Sequence, residues 1–355
     1  MNIYNSEKYI ELLDIFINNN ELLNELSGKT ILLTGATGMI GSFLVDVIMR
    51  KNSFSQDEEK TKIIAIARNS ATAMERFSKW GENDFLLFVP HDITKPLPQM
   101  ELIPDYVIHA ASSAHPKAYV TEPVNTVLAN ILGTQNLLNF IVNNNAGRFL
   151  LLSSVEVYGE NRGDTEFFTE DYCGYINCNT LRAGYPESKR VSEALCQAYL
   201  HQYGADFSII RLSRTYGPTM RLNDSKAAAQ FILNGIKGED IVLKSEGTQF
   251  FSYDHVYDAV SGILFALLRG KTGEAYNLGA PDSNITLRNL AGIIASLTGT
   301  KVVFQFPDSI EKAGFSVVTR GVVNADKLFN LGWKPYFNIE SGIKETLEIL
   351  NQVAV

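Results

Sequence analysis

The segment GYPESKRVSEALCQAY carries Tyr185 and Lys189 four positions apart. On a helix that spacing puts both side chains on one face. A tyrosine takes a proton from a substrate hydroxyl only when its pKa falls from about 10 toward neutral, and an ammonium one turn away supplies a field of the right sign. Ser154, in the earlier stretch LLSSVEVYG, stands at the end of an apolar strand, where its hydroxyl could bond the same substrate oxygen. That stretch also holds a carboxylate, Glu156, between Val155 and Val157. Alternation of this kind fits an edge strand with one solvated face, so a chemical role for Glu156 needs support from elsewhere in the chain.

Support comes from TGATGMIG, which sets Gly35, Gly38 and Gly41 at a G-x-x-G-x-x-G spacing between a strand and a helix. Glycine at these points permits a tight turn, close approach of backbone to a pyrophosphate and close packing of helix on strand, with the helix N-terminus facing the phosphates. The next strand ends AIARN. Ala67 stands where an NAD-binding domain usually places an acid on the ribose hydroxyls, and Arg68 follows it. No carboxylate there would repel a 2'-phosphate and a guanidinium could pair with one, which favours NADP over NAD. A dinucleotide beside Tyr185, Lys189 and Ser154 makes a hydride-transfer site.

The elements that must position these residues follow from the pattern. Residues 4–26 have the apolar spacing of two short helices, interrupted at Asn18 to Asn20. From residue 29 onward apolar strands alternate with helix-length segments: KTILLTG, KIIAIARN, DFLLFVPHDI, DYVIHAAS, a helix over roughly Val124 to Asn143, and RFLLLSSVEV. Strands this apolar belong to a parallel sheet covered on both faces, so the fold class is α/β, a doubly wound (Rossmann) sheet with a smaller α+β C-terminal lobe. The expected division is an N-terminal helical extension at 1–27, a dinucleotide-binding domain at 28–215 plus about 250–272, and a substrate lobe at 216–249 plus 273–355. The lobe closes over the carboxyl edge of the sheet, where ligands of open sheets bind.

Composition narrows the function further. The chain has 355 residues, 45% hydrophobic and 20% charged, and a formal net charge of -8, which argues against general nucleic-acid binding. No run of eighteen apolar residues occurs, and the N-terminus lacks a basic region and cleavage site, so a cytoplasmic protein away from membranes is expected. Three cysteines, Cys173, Cys178 and Cys196, cannot build a disulfide framework. They and His91, His109, His115, His201 and His255 match no metal-site spacing, and no metal is assigned.

In order along the chain, TGATGMIG, IHAAS, NILGT, SSVEVYG, YPESK and RTYGP resemble the extended short-chain dehydrogenase/reductase family that modifies nucleotide sugars, the NAD-dependent epimerase/dehydratases. The resemblance runs from about Lys29 to the C-terminus. Within the family, HAASSAHPKAYVTEPVNTVLANILGTQNLL, EDYCGYINCNTLRAGYPESKRVSEALCQAY and GPTMRLND are most similar to UDP-glucuronate decarboxylases, and next to sugar-nucleotide 4,6-dehydratases. The resemblance implies that Ser154, Tyr185 and Lys189 oxidise the sugar at C4, with a nucleoside-diphosphate sugar as substrate. It implies a cofactor lined by Thr34, Gly35, Gly38, Met39, Ile40 and Gly41, by Asp92, Ile93, Ala110 and Ala111, and by Asn130, Tyr185 and Lys189. Tyr119, Arg182 and Arg320 would reach the substrate. It also implies a homodimer paired through the helix that carries Tyr185.

Decarboxylases and dehydratases of the family carry an acid at the position of Glu156, and plain 4-epimerases usually do not. With C4 a ketone, a carboxylate beside C5 can take a proton or help place a C5 carboxylate for loss as carbon dioxide. Three positions depart from the family pattern. Val155 stands for a serine or aspartate, Arg214 for a substrate-contacting asparagine, and Gln249 for an arginine on the nucleotide side. Arg214 is read as a source of charge for the pyrophosphate. The expected reaction is therefore decarboxylase-like chemistry at C5. A 4,6-dehydratase, a 4-epimerase and an NADPH-dependent reductase of keto-sugar nucleotides are the alternatives.

Overall fold

The computed structural model describes residues 2–81, 83–112, 116–305 and 318–353; His115 lies outside them. Its centre is a seven-stranded sheet built from β1 (Thr30–Thr34), β2 (Lys62–Ala67), β3 (Leu86–Pro90), β4 (Tyr106–His109), β5 (Arg148–Ser154), β6 (Phe207–Leu212) and β10 (Ala275–Leu278). The strand order is β10-β6-β5-β4-β1-β2-β3 and every pairing is parallel. Order reverses at β1, which lies between β2 and β4, so a crevice opens at the carboxyl ends of β1 and β4. Helices α1 (Glu7–Asn19), α2 (Met39–Asn52), α3 (Ser70–Arg76), α4 (Pro116–Thr121), α5 (Pro123–Asn144) and α6 (Gly184–Tyr203) precede β6 in the chain. Strands β1, β2 and β5 are buried along almost their whole length, which is why they read as continuous apolar runs rather than alternating ones.

Strands β7 (Arg214–Tyr216), β9 (Phe250–His255), β11 (Asn284–Thr286) and β13 (Arg320–Gly321) form a second sheet of four strands, and β8 (Ile241–Leu243) pairs with β12 (Val302–Phe304). Around them lie α7 (Ala227–Ile236), α9 (Leu287–Thr298) and the C-terminal helix Ile339–Asn351, which bury a separate apolar cluster including Phe231, Ile294 and Ile343. Helix α8 (Val256–Arg269) joins the cluster under the large sheet instead. Membership differs from the expected boundaries at two strands. Ala275–Leu278 completes the large sheet although its range was expected in the smaller lobe, and Phe250–His255 lies at the heart of the small sheet although it was expected with the dinucleotide domain. AYNL is too short for periodicity to say which sheet it joins.

The N-terminal helices pack into the main core, with Tyr9, Leu12, Leu13, Phe16, Leu23 and Leu26 fully buried. A buried carboxylate ties them to α2 and α3. Asp46 accepts from the hydroxyls of Tyr4 and Tyr9 at 2.5 Å each, from Arg76 Nη2 at 2.6 Å and from Trp80 Nε1 at 2.9 Å. Removing one partner of a buried ion pair typically costs about 3–5 kcal/mol because the other is left uncompensated. Asp46→Ala is therefore expected to destabilise the fold by about that much, read by denaturant unfolding. A loss under 1 kcal/mol would mean that water replaces the carboxylate.

Candidate active site

The glycine loop is the first part of the site. Gly35 has φ of +72°, and a Cβ there would lie 2.7 Å from the backbone of Ala110 and Ala111, so only glycine lets β1 run out against the end of β4. A Cβ on Gly41 would meet Gly35 O at 2.4 Å. Gly38 caps α2 without any side-chain hydrogen bond, which leaves the first-turn N–H groups open to an anion. Thr34 Oγ1 accepts from Ala111 N at 3.1 Å and sits 2.8 Å from His109 Nδ1, locking the two strand ends together. These features fit a dinucleotide pyrophosphate: an open helix terminus beside a turn with no room for a side chain.

Other expected cofactor residues lie around this crevice. Asn130 is fully buried on α5, donates to Ser188 Oγ at 2.9 Å, and leaves its Oδ1 without a partner among the described residues. Asp92 accepts from Thr94 N and Oγ1, which holds its carboxyl below the usual range, with the charges of Lys95 and Arg68 adding to the effect. Arg68 itself is exposed at the end of β2. Ile93 packs its side chain into the core, and its carbonyl accepts from Asn136.

A cavity of about 390 Å³ begins at Met39 and Ile40 and runs between the two sheets, within the size range of small-molecule sites. Ser154, Glu156, Tyr185, Arg182, Tyr119, Arg214 and Gln249 all line it. Ser154 ends β5 and its hydroxyl accepts from Glu156 N at 3.3 Å, so the chain turns there into a 3-10 helix, Val155–Tyr158. Tyr185 follows directly after the start of α6 and is buried, its ring stacked on Tyr119 at 5.0 Å between centroids. Arg182 Nη2 donates to Glu156 Oε2 at 2.8 Å while its guanidinium lies over the Tyr119 ring, 4.6 Å from the centroid. Arg214 Nη2 lies 3.7 Å from Glu156 Oε1, and its guanidinium stacks 3.3 Å from the centroid of Phe251.

Residues 31–279 match the NAD dependent epimerase/dehydratase family. The chain belongs to that family. It is 31% identical over 334 residues to UDP-glucuronic acid decarboxylase 1 of Danio rerio, covering 94% of this chain and 75% of the relative. It is 32% identical over 321 residues to UDP-glucuronic acid decarboxylase 6 of Arabidopsis thaliana, covering 89% of this chain and 87% of the relative. Among solved structures it resembles DesIV, a dTDP-glucose 4,6-dehydratase from Streptomyces venezuelae with NAD and TYD bound. The TM-score is 0.75 at 25% identity, with 91% of this chain and 97% of that one covered. The protein is thus an NAD-dependent enzyme of the short-chain dehydrogenase/reductase type.

For this epimerase/dehydratase, three sequence readings change. The alternation of Val155, Glu156 and Val157 is not an edge strand: β5 is central, flanked by β4 and β6, and it stops at Ser154. Arg320 does not line the cavity; its Nε donates to Glu166 O at 3.3 Å and its guanidinium lies over Phe250. The expected fall of the Tyr185 phenol is also absent. Burial pushes it up to about 12, only partly opposed by the Ser154 hydroxyl. Lys189 Nζ is spent on Leu152 O at 2.7 Å. A positive charge on a bound nicotinamide would have to supply the remaining field. The sequence reading also missed Ser112, whose buried hydroxyl lies close enough to the Tyr185 phenol to pull it down, as Ser154 does. The signal was present, since Ser112 ends the IHAAS stretch.

Lys189 carries a pH prediction. Burial brings its ammonium down from 10.5 to about 8, opposed by Glu193 one turn along α6 and by Cys196. Glu193 is fixed by Ser153 Oγ at 2.5 Å and by Arg211 Nη2 at 2.7 Å. Because the folded value lies below the unfolded one, the Lys189 contribution to stability rises between pH 8 and 10.5, whereas its charge at the site is lost as the pH rises through about 8. Glu193→Gln is expected to move the alkaline limb of kcat/KM down by roughly one pH unit. A limb that stays in place would leave Glu193 only its structural bond to Arg211.

Proposed function

We propose that this enzyme oxidises C4 of a nucleoside-diphosphate uronate and releases the C5 carboxylate as carbon dioxide, the loss for which the UDP-glucuronic acid decarboxylase relatives are named. What carries the reading is Glu156, a carboxylate in the cavity wall beside Tyr185 and Ser154. When bound, the oxidised dinucleotide supplies a hydride acceptor. Tyr185 takes the C4 hydroxyl proton and Ser154 holds the same oxygen, so C4 becomes a ketone. The C5–C6 bond can then break with its electrons drawn toward the C4 oxygen, and Glu156, oriented by Arg182, faces C5, where it can relay from water the proton that replaces the lost carboxyl. Val155 has an apolar side chain and is 7% exposed; it offers no acid for a departing C6 hydroxyl, which disfavours loss of water.

The test is incubation of the purified enzyme with UDP-, GDP-, CDP- and TDP-uronates and hexoses. Carbon dioxide from a uronate supports the proposal, and water lost from a hexose makes the enzyme a dehydratase. Absence of any conversion without added NADPH turns it toward a reductase. NADP preference rests on Arg68 and on the absence of an acid at Ala67, and since Asp92 lies within the field of Arg68, a 2'-phosphate would compete with that carboxylate. Dissociation constants for NAD and NADP on one preparation decide it, and a ratio near one removes the preference. We also take the large-sheet part to hold the dinucleotide and the small-sheet part the nucleoside end of the substrate. Among the described residues no helix is long and apolar enough to cross a membrane, and a cytoplasmic location remains part of the proposal. So does a homodimer: Val124 on α5 and Val191 on α6 are 66% and 40% exposed, an apolar surface that a second copy would cover. Its readout is solution mass, and a monomer at every concentration rejects it.

A further inference from the structure

Two guanidiniums share one carboxylate at the catalytic end of the cavity, and the pairing is unequal. Arg182 makes a charge-assisted hydrogen bond to Glu156 at 2.8 Å. Arg214 stands off at 3.7 Å, beyond the 2.7–2.9 Å typical of such a bond. No acceptor is hydrogen-bonded to Arg214 among the described residues; the stack on Phe251 holds the plane of its guanidinium instead. Phe251 can do so because β7 and β9 pair in parallel with Arg214 opposite Tyr253, which puts Phe251 on the same face two residues earlier. Arg182 adds to the imbalance, with Nε and Nη1 buried and unpartnered among the described residues. This wall therefore holds one positive charge more than Glu156 answers, on donors fixed before any ligand arrives.

We infer that Arg214 is the specificity residue for an acidic sugar, receiving the carboxylate on C5 of the substrate, the bonds Glu156 leaves unmade being completed by the ligand. This rests on the proposed uronate reading and sharpens it. In a pyranose, C5 adjoins C4, whereas the diphosphate leaves from C1 on the far side of the ring. Tyr185 and Ser154 must face C4, and the charges acting on the neighbouring Tyr119 are those of Arg182, Glu156 and Arg214. A guanidinium at this end meets the C5 substituent. The diphosphate has another cation in the same cavity, Lys226 at the start of α7. The charge of Arg214 is thus reassigned from the pyrophosphate, where the sequence placed it, to the sugar. Burial works against its charged form, as expected of a cation awaiting a counter-ion.

The experiment compares binding of UDP-glucuronate and UDP-glucose by calorimetry in a Tyr185→Phe background, where neither is consumed. The parent is expected to bind the uronate at least tenfold more tightly. Adding Arg214→Asn should bring the ratio of the two dissociation constants to near one while the UDP-glucose value changes less than about threefold, and Arg214→Lys should give an intermediate ratio. Each ratio is taken on one preparation, so a partly unfolded fraction cancels. A ratio that survives Arg214→Asn, or an equal weakening of both ligands as a diphosphate contact would give, overturns the assignment. If the parent binds neither sugar nucleotide, the nucleotide-sugar reading itself fails and the inference with it.

Discussion

Tyr185→Phe is expected to reduce kcat by about a thousandfold or more while the protein stays folded and keeps its dinucleotide. A positioned acid-base group contributes typically about 10²–10⁴-fold, and this phenol, which lines the cavity with Ser154, is the proposed proton acceptor. The ring itself is retained. It still stacks on Tyr119 and still fills a buried position, so the loss is a single hydroxyl and its bonds, roughly 1 kcal/mol of stability. The assay is product formation by mass spectrometry, with released dinucleotide and unfolding midpoint measured on the same sample. Turnover above a tenth of the parent's would remove Tyr185 from the chemistry. A large loss of bound dinucleotide would assign the residue to cofactor binding instead. High pH is not expected to rescue the variant, because Phe offers no group to ionise.

The parts of this site that could be read from sequence are those set by local geometry. Gly35, Gly38 and Gly41 are read by spacing because a turn, a helix start and one close contact all fall within seven residues, and Tyr185 with Lys189 because a helix repeats nearly every four. The turn at Glu156 was harder. Val155 and Val157 are both buried, at 7% and 5% exposed, and two buried residues around a polar one read as a strand even when they belong to a 3-10 helix. What ends the strand is the Ser154 side chain capping Glu156 N, a bond open to any serine in principle and visible only once the backbone is known. Arg214 exposes a second limit. Its type was legible, but its neighbour Phe251 reaches it only through the register of β7 on β9, a pairing between segments far apart in the chain. Placement of β10 fails for the same reason.

Glu156→Gln separates the two halves of the proposed reaction. Gln keeps the length of the side chain and one oxygen for Arg182, but it carries no charge and can neither take up a proton from water nor pass one to C5. Oxidation at C4 needs Tyr185, Ser154 and the dinucleotide, none of which the substitution removes, so mixing with a uronate should still produce the absorbance of reduced dinucleotide. Release of carbon dioxide is expected to fall by about 10²-fold or more, the scale of a lost acid-base group, and an oxidised sugar should accumulate. The uncharged side chain also leaves Arg182 and Arg214 without their counter-ion, so a uronate should bind more tightly to the variant than to the parent even as its conversion slows. That combination, tighter binding with slower carbon dioxide release, follows only if Glu156 acts on C5 and also competes for the arginines. Glu156→Asp completes the set, because it restores the charge but withdraws it by one methylene; its activity should recover in part. Carbon dioxide release at the parent's rate in Glu156→Gln would reduce Glu156 to a clamp for two guanidiniums, and water would then reach C5 without its help.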